Sequence, residues 1–233
     1  MKKIISQLLI TGFLFCLTHA ANAQKKLKEG KAIFSITYPE SELDEQTLAM
    51  MPSETVIYFK DKHSRTEMKI AMGTTVSISD AKTGEMTTLI DMMGNKIAMK
   101  ITKEDLEKEI KKNGNQKPDI KITDETKKIA GYNCKKLQAI VKDENSNEIK
   151  MDIWFTDEIE APNSMRGGEM FTDKIDGFMM EFETKMSELT MKMTCRSAVE
   201  VVVPDSIFVI PEGYTLTTME ELKNFGRPVT TLF

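Results

Sequence analysis

Apolar residues recur at every second position, in short runs, along most of this chain, the period of strands with one buried face. Ala32, Phe34, Ile36 and Tyr38 alternate in the first run. In the second, Val56 and Tyr58 share one face and Ile57 and Phe59 the other. Thr66, Met68, Ile70 and Met72 oppose Arg65, Glu67 and Lys69. Val76 and Ile78 precede a turn at residues 80–84, and Met86, Thr88, Ile90 and Met92 follow it. Gly94-Asn95 turns the chain into Ile97, Met99 and Ile101, which oppose Lys96, Ala98 and Lys100. After an interruption the same period returns at residues 120–122 and in Leu137, Ala139 and Val141. Ile149, Met151, Ile153 and Phe155 then oppose Lys150, Asp152 and Trp154. The last runs are Phe178, Met180 and Phe182, then Met191, Met193, Cys195, Ser197, Val199 and Val201.

Three segments carry helix signals instead. Thr102 and Asp105 form a cap ahead of Leu106 and Ile110, with Gly114 as the stop. Ser41 and Asp44 open a second helix that ends before Pro52. Thr217 and Glu220 open a third, running to Phe225 ahead of Gly226 and Pro228. The pattern therefore predicts a mainly β fold: about ten or eleven strands in a curved antiparallel sheet, a half-open barrel that two or three short helices cover or plug. A membrane-spanning barrel conflicts with Arg65, Glu67, Lys69, Lys96 and Lys100 at strand centres, and those faces are expected to meet water.

The first 23 residues stand apart. Lys2 and Lys3 precede a mostly apolar stretch from Ile4 to Leu17, and Ala21-Asn22-Ala23 supplies a small-x-small cleavage site. We read 1–23 as a signal peptide and 24–233 as one β-rich domain, exported to the periplasm. The mature part contains no transmembrane segment. Removing the leader changes the formal charge from −4 to −6, because Lys2 and Lys3 leave with it. An acidic chain is a poor partner for nucleic acid.

Candidate chemistry is sparse. Of two histidines, His19 lies in the leader and His63 in a turn between strands, so neither a histidine-based triad nor a histidine zinc site can be assembled. The pairs Glu107/Glu109, Glu158/Glu160 and Glu181/Glu183 read as solvated positions in a chain that is 29% charged. Arg166-Gly167-Gly168 does not join a strand to a helix as a phosphate loop would. The sequence thus predicts a non-enzymatic protein without a cofactor. Methionine is the anomaly, with 18 residues, many of them on apolar strand faces. Such flexible, polarizable side chains fill a core or line an adaptable cavity. Met191, Met193 and Cys195 on one strand face also raise Cu(I) binding by soft sulfur ligands. Cys134 and Cys195 are the two cysteines outside the leader, and pairing them in a disulfide is one reading of an exported chain. Strand parity does not bring the two together, since Cys134 alternates with Lys136 and Gln138.

Thr123-Asp124-Glu125-Thr126-Lys127-Lys128-Ile129-Ala130-Gly131-Tyr132-Asn133-Cys134-Lys135-Lys136 resembles a segment of an exported Gram-negative family of unknown function. Tyr58-Phe59-Lys60, Ile153-Trp154-Phe155-Thr156 and Ile210-Pro211-Glu212-Gly213-Tyr214 resemble further pieces of it. That family is similar in expected fold to the lipoprotein-carrier (LolA/LolB-like) superfamily, which implies an incomplete barrel around an apolar hollow. The expectation is a periplasmic carrier for a lipid acyl chain or another apolar ligand. Its lining would be Met151, Phe155, Phe178, Met180, Phe182, Met191 and Met193. The competing expectation is a filled-core interaction protein with an envelope protein as its partner.

Overall fold

The computed structural model describes residues 26–112, 118–142, 148–160, 162, 177–186, 189–218 and 221. The expected signal peptide and cleavage site, and Gly114, Gly167 and Gly168, lie outside the described residues. Twelve strands form one sheet: β1 (Glu29–Thr37), β2 (Glu54–Lys60), β3 (His63–Ile70), β4 (Gly73–Asp80), β5 (Glu85–Met92), β6 (Asn95–Ile101), β7 (Asp119–Ile129), β8 (Tyr132–Lys142), β9 (Glu148–Thr156), β10 (Phe178–Met186), β11 (Leu189–Glu200) and β12 (Thr215–Thr218). Their order is β12-β6-β5-β4-β3-β2-β1-β11-β10-β9-β8-β7. Two up-and-down meanders, β2–β6 and β7–β11, thus meet at β1, which pairs with β2 on one side and β11 on the other. All pairings are antiparallel except β12 on β6. The sheet is strongly curved and stays open.

Alternation builds the core as expected in β1 and β2. Ala32, Phe34 and Ile36 are buried beside Thr55, Ile57 and Phe59, while Val56 and Tyr58 turn to the opposite face. Phe178 lies against both Phe34 and Phe59, with ring centroids 5.9 and 5.6 Å away. A row of apolar residues continues this face outward, Ile36–Met193–Phe182–Ile153–Leu137, one from each successive strand.

The β3–β6 region differs from the one-faced pattern. Val76, Ile78, Leu89 and Ala98 form a second core on the other face, beneath Phe208, Ile210 and Tyr214. These three belong to a strap, residues 201–214, that runs from β11 to β12 across the meander. Lys60 donates to the Val203 carbonyl, Val203 N–H to Glu29, and Arg65 to the Ile207 carbonyl. The Arg65–Glu67 face is therefore covered by the strap, a correction to the solvated face expected from charge alone. Arg65 tolerates that cover because its guanidinium is bonded both to Glu67, at 2.6 Å, and to the strap.

Among the described residues, two α-helices stand out. α1 (Glu45–Met50) begins one turn later than Ser41. Asp44 alone caps it, its carboxylate accepting from Thr47 N–H at 2.9 Å, and Ser41 instead bonds the Thr190 backbone on β11. α2 (Lys103–Lys112) carries the expected capping box, Thr102 and Asp105 bonding each other's backbone N–H groups. Its Leu106, with Met86, packs against the buried Met99 and Ile101 at one end of the sheet. At the third expected helix, Thr217 and Thr218 end β12, and the reciprocal cap joins Thr218 to Glu221, one residue beyond the predicted pair. Residues 222–225 are outside the described set. No helix among the described residues is long and apolar enough to cross a membrane.

Candidate functional site

The predicted lining divides between two clusters, Phe178, Met180, Met191 and Met193 in one and Met151 and Phe155 in the other, with Phe182 against both. A bulge in β10 sets Phe178 opposite Thr156 and Met179 opposite Phe155. Phe178 and Met180 are fully buried, Met193 and Phe155 nearly so. Met151, Phe182 and Met191, on adjacent strands β9, β10 and β11, are only partly buried, and Phe182 touches two of the core clusters. The structure thus brings the seven residues together as two packed clusters with a partly open strip between them.

The polar face holds a feature that sequence reasoning missed. β7 and β10 stand three strands apart, about 14 Å in a flat sheet. Yet Lys127 Nζ on β7 lies 2.7 Å from Glu181 Oε1 on β10. The sheet curls toward its charged face here and encloses a hollow of about 740 Å3. The half-buried indole of Trp154 sits within it, and Met151 borders it. Trp154 holds a position between Lys136 and Glu181 in the ladder. Lys127 Nζ stands 4.2 Å from its ring centroid and Lys136 Nζ 5.9 Å, placing cations around the indole.

Two hydrogen-bonded networks flank the indole. In one, Lys136 bonds Asp152 at 2.9 Å and Glu125 at 3.3 Å, and Gln138 donates to Asp152. The hydrogen bond to Asp152 is the main influence holding the Lys136 ammonium above its ordinary pKa. In the other, the buried Glu181 accepts from Lys127 and from Thr194, and Lys192 stands between Glu181 and Glu183. Burial pushes the Glu181 carboxyl upward, but the Lys127 hydrogen bond and the charges of Lys127 and Lys192 outweigh it, leaving its pKa below the usual value. Glu181 and Glu183, read from sequence as solvated acids, are parts of this network. The available signal was the chain's one tryptophan at a polar position of a two-faced strand.

The cysteines correct a second expectation. Cys134 and Cys195 occupy the same core cluster, because the curl folds the β7–β8 turn onto β11. Tyr132 beside that turn donates to the Ala198 carbonyl at 3.0 Å. Parity along a single strand carries no information about this cross-sheet approach. Both residues are buried free thiols. Burial pushes their pKa values up to about 11 for Cys134 and about 12 for Cys195. His63, expected in a turn, instead opens β3, paired with Lys60 and Asp80; its ring is tilted against Phe208 and lies 3.8 Å from Asp80. Among the described residues no group of three or more His, Cys, Asp or Glu side chains is placed to hold a metal ion.

An open, curled β sheet with apolar cores on both faces and a charged hollow around Trp154 defines the structural class. Residues 36–167 match the family described as N-glycanase peptide, N-terminal domain. The chain belongs to that family. Its fold is similar to that of PNGF-II in two crystal forms, with TM-scores of 0.51 and 0.53 at 14% and 13% identity. Each match covers 84% of this chain but 32% of PNGF-II, so the chain spans about a third of that protein's length. The Mycobacterium tuberculosis lipoprotein LppX is more distant, with a TM-score of 0.39 at 6% identity over 76% of this chain and 89% of its own. Comparison with curated proteins gives no match.

Proposed function

We propose that this domain is a non-catalytic binding or carrier protein of the periplasm that holds a ligand with an apolar part, such as an acyl chain. The observation that carries the reading is the strip of Met151, Phe182 and Met191, which stays partly open beside the buried Phe155 and Met193. The leader-like residues 1–23 support export. Each methylene buried on the strip contributes about 0.8 kcal/mol, so a short acyl segment suffices for useful affinity.

The rival reading is a filled-core interaction protein docking on an envelope partner, favoured by the complete burial of Phe178 and Met180. Cu(I) binding at Met191, Met193 and Cys195 is disfavoured, because a thiol with a pKa of about 12 resists the deprotonation that metal ligation needs. Delipidated protein mixed with an acyl-bearing phospholipid and passed through gel filtration tests the carrier reading. Co-elution of lipid with protein is expected. Lipid-free protein after repeated trials would instead favour the filled-core reading.

A further inference from the structure

The hairpin turns of the β2–β6 meander differ in chemistry between its two ends. At one end, residues 61–62 join β2 to β3 and residues 81–84 join β4 to β5. Asp61, Lys62, Lys82 and Thr83 are exposed there, polar as turn tips in water are. At the other end, the turn at 71–72 presents Met72, 56% exposed, and the turn at 93–94 presents Met93, 84% exposed. The β1–β2 connection lies at this end too, because Glu54 pairs with Ser35 near the end of β1 and Thr55 with Met68 near the end of β3. Its helix α1 contributes Met50, 51% exposed. The two methionine turns stand side by side. Gly73 pairs with Met92, and a Cβ on Gly73 would meet the Asp91 carbonyl oxygen at 2.0 Å, so Met72 and Met93 flank one close contact between β4 and β5.

Met93 is costly where it stands. It takes φ +52° ahead of Gly94 at +84°, a two-residue turn that asparagine or glycine enters more cheaply. Its side chain is also left in solvent, so packing within the chain does not account for it, and an outlier of this kind points to contact with something outside. The surrounding charges narrow what that is. Lys69 and Lys96 are exposed, and each occupies the second ladder pair behind a tip, about 7 Å back along the strand. Separate apolar tips backed by ammonium groups do not make the continuous dry patch at the centre of a protein interface. They suit a bilayer surface, where apolar side chains enter the acyl boundary to roughly 5–10 Å and lysines reach the headgroups. Asp44 and Glu45 open α1 at the same end, so the rim is no basic patch, and insertion rather than charge carries the contact.

We propose that this methionine rim is a membrane-docking edge: Met50, Met72 and Met93 insert into the interface of a lipid bilayer, with Lys69 and Lys96 at the level of its phosphates. The edge does not rest on the carrier reading, since a filled-core protein has the same rim. The experiment floats the protein, with residues 1–23 removed so that the apolar leader cannot bind lipid itself, on phosphatidylcholine vesicles in a density gradient. Protein should rise with the vesicles, and Met72→Ser with Met93→Asn should weaken the partition about tenfold for each methionine removed. Lys82→Ser, at the polar end, should leave it unchanged. Asparagine suits the backbone at position 93, so the urea midpoint of Met93→Asn should not fall, which separates lost docking from lost folding. The double variant keeps Met151, Phe182 and Met191, so acyl uptake in gel filtration reads the carrier site independently. Protein that stays at the bottom of the gradient would overturn the proposal, as would a double variant that floats like the parent. Flotation only on phosphatidylglycerol vesicles, abolished by salt, would overturn it in favour of charge, and rim methionines shielded from peroxide by an added envelope protein but not by vesicles would assign the rim to a protein partner instead.

Discussion

Replacing Phe178 with alanine separates a packed core from a ligand-accepting floor. Its ring is 0% exposed and rests against Phe34 and Phe59 at 5.9 and 5.6 Å between centroids. Losing a fully buried phenylalanine costs roughly 1.5–3 kcal/mol in transfer free energy. The two neighbouring rings are fixed by their own strands, so the space collapses only in part. A residual cavity on the order of 50–80 Å3 adds about 1–2 kcal/mol at the usual cavity coefficient. The sum, about 3–5 kcal/mol, is the range seen for Phe→Ala in cores. Urea unfolding followed by far-UV circular dichroism measures it. With a slope of about 2–3 kcal/mol/M, the midpoint should fall by roughly 1–2.5 M at unchanged slope. A loss below about 1 kcal/mol would refute the packing described for β1, β2 and β10. It would mean that Phe178 borders space that solvent or ligand already fills.

Two further outcomes follow from the titrating groups. The Glu181 pKa is lowered in the folded protein, so its contribution to stability is complete above the unfolded value near 4.5 and is lost as the pH falls through the lower folded value. The urea midpoint of Glu181→Gln should therefore fall less than that of the parent between about pH 6 and pH 3, and an identical acid response in both would show that the Lys127 and Lys192 contacts do not act on the carboxylate. The Cys134 and Cys195 thiols, pushed up to about 11 and about 12, should resist a thiol-specific disulfide reagent at pH 8 in native protein starting at Gln24, and both should react at once in urea. Fast labelling of the native state would contradict their burial, and a mass two hydrogens short with no urea-exposed thiol would show that export had joined them as a disulfide.

The architecture was legible in the chain because strand alternation is local. Ala32, Phe34 and Ile36 are buried as their spacing requires, and the Thr102–Asp105 cap starts α2 where its side chains place it. What escaped notice depends on contacts distant in sequence. Val76, Ile78, Leu89 and Ala98 are covered by a strap more than a hundred residues later, and no local period announces which face a strap will cross. The hollow was hidden for the same reason. Lys127, Lys136 and Glu181 have the composition of a wet surface, and the curl that converges them is a property of the whole sheet. Ser41 likewise carries a capping signature but is claimed by Thr190, 149 residues away. Of the predicted lining, chain spacing correctly placed Phe182, Met191 and Met193 in neighbouring apolar positions. It could not tell which of them would be sealed.

The place of β1 bears on how the chain completes itself. Each meander closes through hairpins between neighbours in sequence, and such contacts form early. β1 is adjacent to β2 in the chain, yet its other edge is satisfied only by β11, with Ile36 opposite Met193. A polypeptide delivered amino end first therefore carries an unsatisfied strand edge until nearly its last fifth has emerged. That interval is when β1 is open to pairing with another chain, so a holdase on the emerging polypeptide would act on this strand above all others.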